Sequence, residues 1–282
     1  MNVLSLFDGI SCGQIALNRA GIEYHKYFAS EIDKNAIKVT QSNYPNTIQL
    51  GSVIDIQSKN LPKIDLLIGG SPCQGFSFMG NQLNFNDPRS KLFFEFVRLL
   101  NELKPKYFLL ENVKMKKQFE DTISLQLGVT PIKINSSLVS ASLRSRYYWT
   151  NIPNITIPKD KNIKLNDILE YGASEREKSV TLLASYGNKI ANESGIKHYF
   201  SRSVGQLIPD ISSKSGYRKL TVKEASRLQT VSDEYLTNVT EVSDKEKYKQ
   251  LGNGWTVDII AHLFSFLNVN NIQKDCEIDN SN

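Results

Sequence analysis

Residues 64–73 read Ile64-Asp65-Leu66-Leu67-Ile68-Gly69-Gly70-Ser71-Pro72-Cys73, an apolar run that stops at a glycine pair and continues into a proline–cysteine turn. A short apolar segment bounded by glycine reads as a buried strand. Upstream, Val3 to Phe7 is a similar run ending in Asp8-Gly9, and Tyr24 to Ser30 is another. Downstream, Tyr107 to Leu110 closes on Glu111-Asn112. Helical patterns lie between these strands. Gly13 to Ala20 has Ile15, Ala16 and Arg19 at helical spacing, and Asp33 is suited to N-capping a helix to Asn43. From Lys91 to Leu103, Leu92, Phe93, Phe96, Leu99, Leu100 and Leu103 share one face. Strands separated by helices of this length imply an α/β fold with a parallel-dominated sheet and right-handed crossovers. Ligands bind such sheets beyond the carboxyl ends of the strands. Asp8-Gly9, Glu31, Ser71-Pro72-Cys73 and Glu111-Asn112 all begin where a strand ends, so the sequence predicts a single site built from the four.

The pattern changes after Trp149-Thr150-Asn151-Ile152-Pro153. From Asn154 to Tyr217 periodicity is poor and Lys, Ser, Asn and Gly dominate. Leu165, Ile168, Leu169, Val180, Leu182, Leu183, Tyr199 and Phe200 nevertheless supply enough apolar surface for a small lobe in place of a disordered linker. Helical patterning returns at Thr221 to Leu228, where Thr221 and Glu224 form a capping-box pair, and at Trp255 to Leu267. The expected organisation is a first domain over 1–153, a lobe over 154–217, a return segment over 218–270 that completes the first domain, and a polar tail over 271–282.

Composition excludes several classes. Hydrophobic residues make up 40% of the chain and charged residues 22%, as in ordinary globular proteins. No 18-residue apolar run occurs, and the N-terminus lacks the features of a signal peptide, so a cytoplasmic protein with no membrane partner is expected. The three cysteines, Cys12, Cys73 and Cys276, form no disulfide framework and share no metal-ligand spacing, and the three histidines are scattered, so no metal is expected. The net charge of +5 fits a nucleic-acid partner and an incidentally basic enzyme equally well.

The chemistry concentrates in Gly70-Ser71-Pro72-Cys73-Gln74-Gly75-Phe76-Ser77-Phe78-Met79-Gly80. A lone cysteine is usually a buried small hydrophobe. This one follows a proline at a strand end among polar, turn-forming neighbours, which suits an exposed nucleophile. The segment resembles the nucleophile motif of the cytosine-5 methyltransferases, Pro-Cys-Gln-x-Phe-Ser-x-x-Gly, with every fixed position filled from Pro72 to Gly80. The resemblance spans nearly the whole chain in the family's order. Phe7-Asp8-Gly9-Ile10-Ser11-Cys12-Gly13 resembles its first cofactor motif, Glu111-Asn112-Val113 its catalytic Glu-Asn-Val, and Arg144-x-Arg146 its paired arginines. Arg218-x-Leu220-Thr221, with Glu224, Arg227, Leu228 and Gln229, resembles its ninth motif, and Gly252-Asn253-Gly254 its last. The segments around 89–100 and 139–153 are similar to phage-type enzymes and animal de novo DNA methyltransferases.

The resemblance implies a Rossmann-like S-adenosylmethionine-dependent methyltransferase sheet with an inserted small target-recognition lobe. It further implies methyl transfer from S-adenosyl-L-methionine, leaving S-adenosyl-L-homocysteine, to C5 of a flipped-out cytosine in double-stranded DNA. Cys73 would attack C6, placing negative charge on N3 and O2. Glu111 is then assigned to N3 and the 4-amino group, with Arg144 and Arg146 completing the catalytic set and Arg146 preferred for O2. Glu111 would have to carry a proton in a closed pocket; on the residues alone it reads equally well as a carboxylate at a helix N-terminus. The implied cofactor surface comprises Phe7, Asp8, Gly9, Ile10, Cys12, Gly13, Glu31, Ile32, Ser52, Val53, Gly70, Pro72, Leu92, Asn253, Gly254 and Trp255. Of these Glu31 would take the ribose hydroxyls and Leu92 the adenine, while Trp255 reads equally as a core aromatic. Gly75 to Pro88 suits a lid over the base. Lys159, Lys161, Lys164, Lys189, Lys197, Arg202, Lys214 and Arg218 make the lobe basic enough to touch phosphates. A restriction-modification or phage setting follows from the family, and one flipped base needs only a monomer.

The chain departs from the family twice. Ser142 stands where a glutamine usually precedes the paired arginines, and Ser52 where an acidic residue usually meets the adenine amino group, with Asp55 three positions on. Three other readings compete. A tRNA cytosine-5 methyltransferase would carry Cys-Phe-Thr in the lobe, which is absent here. A non-catalytic DNA-binding relative would be expected to lose Cys73 or Glu111. A nicotinamide oxidoreductase would need Gly-x-Gly-x-x-Gly after the first strand.

Overall fold

The computed structural model describes residues 1–71, 88–188, 192–202 and 205–267. Pro72, Cys73 and the predicted lid up to residue 87 lie outside the described residues.

The chain opens with β1 (Asn2–Leu6), α1 (Cys12–Arg19), β2 (Lys26–Ser30), α2 (Lys34–Asn43), β3 (Ile48–Gln49) and β4 (Leu66–Gly69). It continues with α3 (Pro88–Leu103), β5 (Tyr107–Val113), α4 (Lys117–Leu127), β6 (Ile132–Asn135), β7 (Ser142–Leu143) and β8 (Ser145–Thr150). Then follow β9 (Ser179–Val180), α5 (Glu193–Arg202), β10 (Leu207–Pro209), β11 (Tyr217–Lys219), α6 (Val222–Leu228), α7 (Asp233–Thr237), α8 (Asp244–Asn253) and α9 (Val257–Phe264). Seven strands form one sheet in the order β3-β2-β1-β4-β5-β8-β6. The first five are mutually parallel, and β8 runs antiparallel to both β5 and β6. The parallel part matches the expectation from the alternating pattern. The β6–β8 edge was not legible, because Ser145-Arg146-Tyr147-Tyr148-Trp149-Thr150 mixes polar and aromatic residues without a clean apolar run.

Strand alternation sorts the side chains into two cores. Val3, Leu66, Ile68, Tyr107, Leu109 and Tyr148 face one way, against α1, α2, α6 and α9. Leu4, Leu6, Leu67, Phe108, Leu110 and Trp149 face the other, against Phe93, Phe96 and Leu99 of α3 and Phe119 and Ile123 of α4. With both faces covered, polar groups at the carboxyl ends of β1, β2, β4 and β5 are left at one rim. The predicted caps hold: Asp33 accepts from Asn35 N, and Thr221 and Glu224 bond reciprocally.

Leu165, Ile168, Leu182, Tyr186 and Ile208, from the region between 154 and 217, join the first core, while Leu183 and Phe200 remain exposed. The parallel pair β7–β9 and the antiparallel pair β10–β11 frame this region. Its backbone presses on the end of α8. A Cβ on Gly252 would fall 2.4 Å from both Ala184 N and Leu183 C, so only glycine permits this approach. Neither backbone atom can move aside as a side-chain tip would. Gly252→Ala is therefore expected to lower stability by about 1–3 kcal/mol. Urea unfolding would read the loss, and an unchanged midpoint would show that the contact is not maintained.

Candidate active site

Glu111 and Arg146 meet at the carboxyl end of β5. In the β5–β8 register Val113 opposes Arg146 and Glu111 opposes Tyr148, so Glu111 and Arg146 are diagonal neighbours on one face. Their side chains close the gap, with Arg146 Nε 2.9 Å from Glu111 Oε1 and both nearly buried. Glu111 is thus a strand residue, which removes the alternative of a carboxylate at a helix N-terminus. Gly70 adjoins it: a Cβ there would lie 3.2 Å from Glu111 Oε2 and 2.9 Å from Trp255 Nε1. Trp255 is 9% exposed and belongs to the first core, yet its indole N–H edge reaches this point, so the two readings of Trp255 are compatible. Asn112, 2% exposed, donates to Ser71 O at 3.3 Å and Ser71 Oγ at 3.1 Å. That bond ties β5 to the residue that precedes Pro72-Cys73.

Arg144 behaves differently from Arg146. Its buried guanidinium donates to the carbonyls of Gly252 at 3.3 Å and Gly254 at 2.7 Å. Burial, helped by neighbouring Arg146, pulls it down to about 10, so it remains a cation at neutral pH. Gly254 in turn abuts Cys12: a Cβ on Gly254 would stand 3.4 Å from Cys12 Sγ. Burial pushes the Cys12 thiol up to about 12, so it is a packing thiol and no nucleophile. Ser142 is fully buried and its hydroxyl has no partner among the described residues.

The β1–α1 turn forms the opposite wall. Phe7, Gly9 and Ser11 all take left-handed backbone, with φ of 58°, 58° and 59°. For the two residues bearing side chains this costs roughly 1–2 kcal/mol each. The turn is held from several directions. Gly9 N donates to Glu31 Oε2 at 2.8 Å, and Ile32 N and Asp33 N donate to Glu31 Oε1. Ser11 Oγ and Tyr27 Oη donate to the two oxygens of Asp8. Gly13 lets α1 sit close on the sheet, where a Cβ would meet Ile68 Cδ1 at 2.5 Å. Ile32 projects outward, 73% exposed, whereas the side chains of Ile10 and Val53 lie in the cores and leave only backbone for a ligand. Ser52 Oγ accepts from Ile54 N and so caps a short 3-10 turn, and Leu92 is partly buried against the second core.

Tyr27 and Tyr235, whose hydroxyls donate to Asp8 and to Ile10 O, support this site although neither falls in a motif assigned to it from the sequence. A lone tyrosine, whether in a strand like Tyr27 or in a short helix like Tyr235, carries no signal that its hydroxyl will find a buried acceptor. Glu-Asn-Val did contain Asn112, but its partner Ser71 is 41 residues away.

Burial holds Asp8 up at about 6, despite donors from Ser11 and Tyr27. An unfolded aspartate titrates near 4. Between these values the folded chain retains a proton that the unfolded chain releases. The penalty is absent below about pH 4, grows as pH rises and reaches about 3 kcal/mol above pH 6. In ligand-free protein Asp8→Asn is expected to flatten the decline in stability between pH 4 and 6. Equal slopes for variant and wild type in thermal unfolding would exclude Asp8 as the source.

Comparison with known proteins places this geometry. The model of the C-5 cytosine-specific DNA methylase family matches residues 1–127 and 116–268. The orphan methyltransferase M.Rho11sI of Bacillus phage rho11s is 46% identical over 116 residues, which cover 40% of this chain and 23% of that protein. The chain thus spans about a quarter of the length of that phage relative. The type II methyltransferase M.NlaX of Neisseria lactamica is 28% identical over 298 residues, covering 93% of this chain and 94% of its own length. Among solved structures, the Entamoeba histolytica methyltransferase EhMeth superposes with a TM-score of 0.77 at 19% identity, covering 94% of this chain and 97% of that one. That likeness shows a shared methyltransferase fold. With the family model matched along almost its entire length, the chain belongs to the C-5 cytosine-specific DNA methylase family.

Proposed function

We propose that this protein methylates C5 of cytosine in double-stranded DNA, with Cys73 as nucleophile and S-adenosyl-L-methionine as donor. The observation that carries the reading is the Glu111–Arg146 pair beside Gly70, at the strand end from which Asn112 holds Ser71, two residues before Cys73. These are the groups that attack at C6 calls for. The sulfur–C6 bond forms as the ring's π electrons move toward N3 and O2, and donors beside the ring must meet that charge. Glu111 has to take up a proton to donate to N3, since a carboxylate only accepts, and its other oxygen accepts from the 4-amino group, while Arg146 serves O2. Arg144 acts as a positioning residue, since both its hydrogen bonds go to the 252–254 backbone. Loss of a proton from C5 and expulsion of the cysteine sulfur restore the aromatic ring.

The cofactor fits the opposite wall. Gly9 has open space where a side chain would stand, Glu31 presents a carboxylate at the rim, and Ile32 offers an exposed apolar face. Asp8, Gly9, Glu31, Ile32, Leu92 and the 253–255 segment would hold the nucleoside and the amino acid end. When bound, S-adenosyl-L-methionine supplies an electrophilic methyl group on a sulfonium. With Ser52 engaged in capping its own turn, the adenine amino contact falls to backbone or to Asp55.

The region over 154–217 is proposed as the target-recognition lobe, with 218–267 completing the catalytic domain. Its exposed lysines, Lys159, Lys197 and Lys214, are available to phosphates. Arg218 is not, because both of its terminal nitrogens bond Glu224. Extrusion of the cytosine precedes attack, since C6 is inaccessible in the stack.

The test is transfer of labelled methyl from S-adenosyl-L-methionine to unmethylated duplex DNA and to tRNA, with nucleoside analysis. Label is expected in 5-methyldeoxycytidine and is lost in Cys73→Ser. Label confined to RNA, or none in either, would overturn the proposal. Glu111→Gln is expected to lower kcat by about 10²–10⁴ with cofactor affinity unchanged. A variant that altered affinity alone would place Glu111 outside the chemistry.

A further inference from the structure

A second concave site lies away from the strand ends. Where the first turns of α6 and α8 meet the end of α7 and the loop carrying Tyr171, a cavity of about 590 Å³ opens. Lys219, Lys223 and Lys247 line it together with Arg218. Lys247 is only 6% exposed, and its ammonium has no hydrogen-bond partner among the described residues. The nearest carboxylate, on Asp244, stands 4.0 Å away and is itself 70% exposed. Lys219 Nζ lies 4.5 Å above the Tyr248 ring and meets no carboxylate among the described residues. Arg218 stacks on Tyr171 at 3.8 Å; Glu224 takes its terminal nitrogens, and its Nε is buried without a partner. Glu170 also lines the cavity, but it stands 3.5 Å from Lys223. Asp244 lines the cavity as well, so Lys247 has one distant, exposed counter-ion and Lys219 has none among the described residues, and the surplus positive charge falls on this pair.

The buried stem of Lys247 holds its ammonium at the cavity, and a counter-ion 4.0 Å away on an exposed side chain leaves room for a closer anion. That anion must be compact enough to reach two lysines, and compatible with flanking tyrosine faces. We propose that the cavity between Tyr171 and Tyr248 binds a phosphate group held by Lys219 and Lys247. Two sources carry that group: the backbone of the DNA substrate, or a free phosphorylated molecule. Lys247 and Gly252 are five residues apart on α8, roughly 7.5 Å along its axis, and the DNA arm takes the backbone of a strand bound at the proposed active site to span that distance. The DNA arm rests on the proposed function, whereas the free-phosphate arm does not.

Two measurements on the full-length protein and on Lys219→Gln and Lys247→Gln separate these sources. One is duplex DNA binding by fluorescence anisotropy across a range of salt concentrations. The other is thermal stabilisation by inorganic pyrophosphate. If the phosphate belongs to DNA, each variant binds every duplex more weakly and flattens the plot of log K against log salt by about 0.9. If it belongs to a free molecule, pyrophosphate stabilises the wild type, both variants lose the response, and the DNA slope is unchanged. Variants that fold, keep the wild-type salt slope and match its pyrophosphate response would overturn the proposal. Lys219 is half-buried, so its variant gives a result even where Lys247→Gln fails to fold. A protein that transfers no methyl group yet loses pyrophosphate binding in both variants would sink the proposed function and leave this site standing.

Discussion

The buried guanidinium of Arg144 reaches more than 100 residues along the chain to the carbonyls of Gly252 and Gly254. Removing a cation from water carries a penalty of several kcal/mol, offset only where good acceptors surround it. Here the acceptors are backbone oxygens at the end of α8, which α8 itself leaves without helical partners. The interaction therefore satisfies both sides and admits little slack. It sets where Gly254 meets Cys12 and where the Trp255 edge meets Gly70 and Glu111. If Arg144 were shifted, the wall supplied by the return segment would move away from the wall supplied by the first strands.

The sheet makes that precision useful. Because alternate side chains of the central strands enter two separate cores, the strands cannot slip by one residue without reversing every buried face. Glu111 and Asn112, neighbours on β5, consequently point to opposite sides, one toward Arg146 and the other toward Ser71. Arg98 adds a brace by donating to the carbonyls of Val53 and Ile56, fixing the turn after Ser52 against α3.

The site's electrostatics divide between its walls. On the β5–β8 side, Arg146 and Glu111 form a nearly buried pair, with Arg144 behind it. On the β1–α1 side, Asp8 is held near 6 by burial while Ser11 and Tyr27 donate to it. The turn that contains it includes two left-handed residues with side chains. Such strain persists only where surrounding bonds over-determine the backbone. Those bonds are the Asp8 donors and the Glu31 carboxylate.

The linear order of residues already determined the parallel strands and the helices between them. It also pointed to the polar segments at the strand ends and to Cys73, Glu111 and the paired arginines as the candidates for the chemistry. Local periodicity and unbroken motifs carry that information, because each depends on neighbours a few positions away. Tertiary structure alone decided that Arg144 clamps backbone while Arg146 meets a carboxylate, since identical side chains two positions apart differ only in what distant segments bring to them. It likewise decided that Ile10 and Val53 are core residues and that Trp255 belongs to the core and to the site edge at once. Register, burial and long-range acceptors arise only when the chain closes on itself, and no local pattern encodes them.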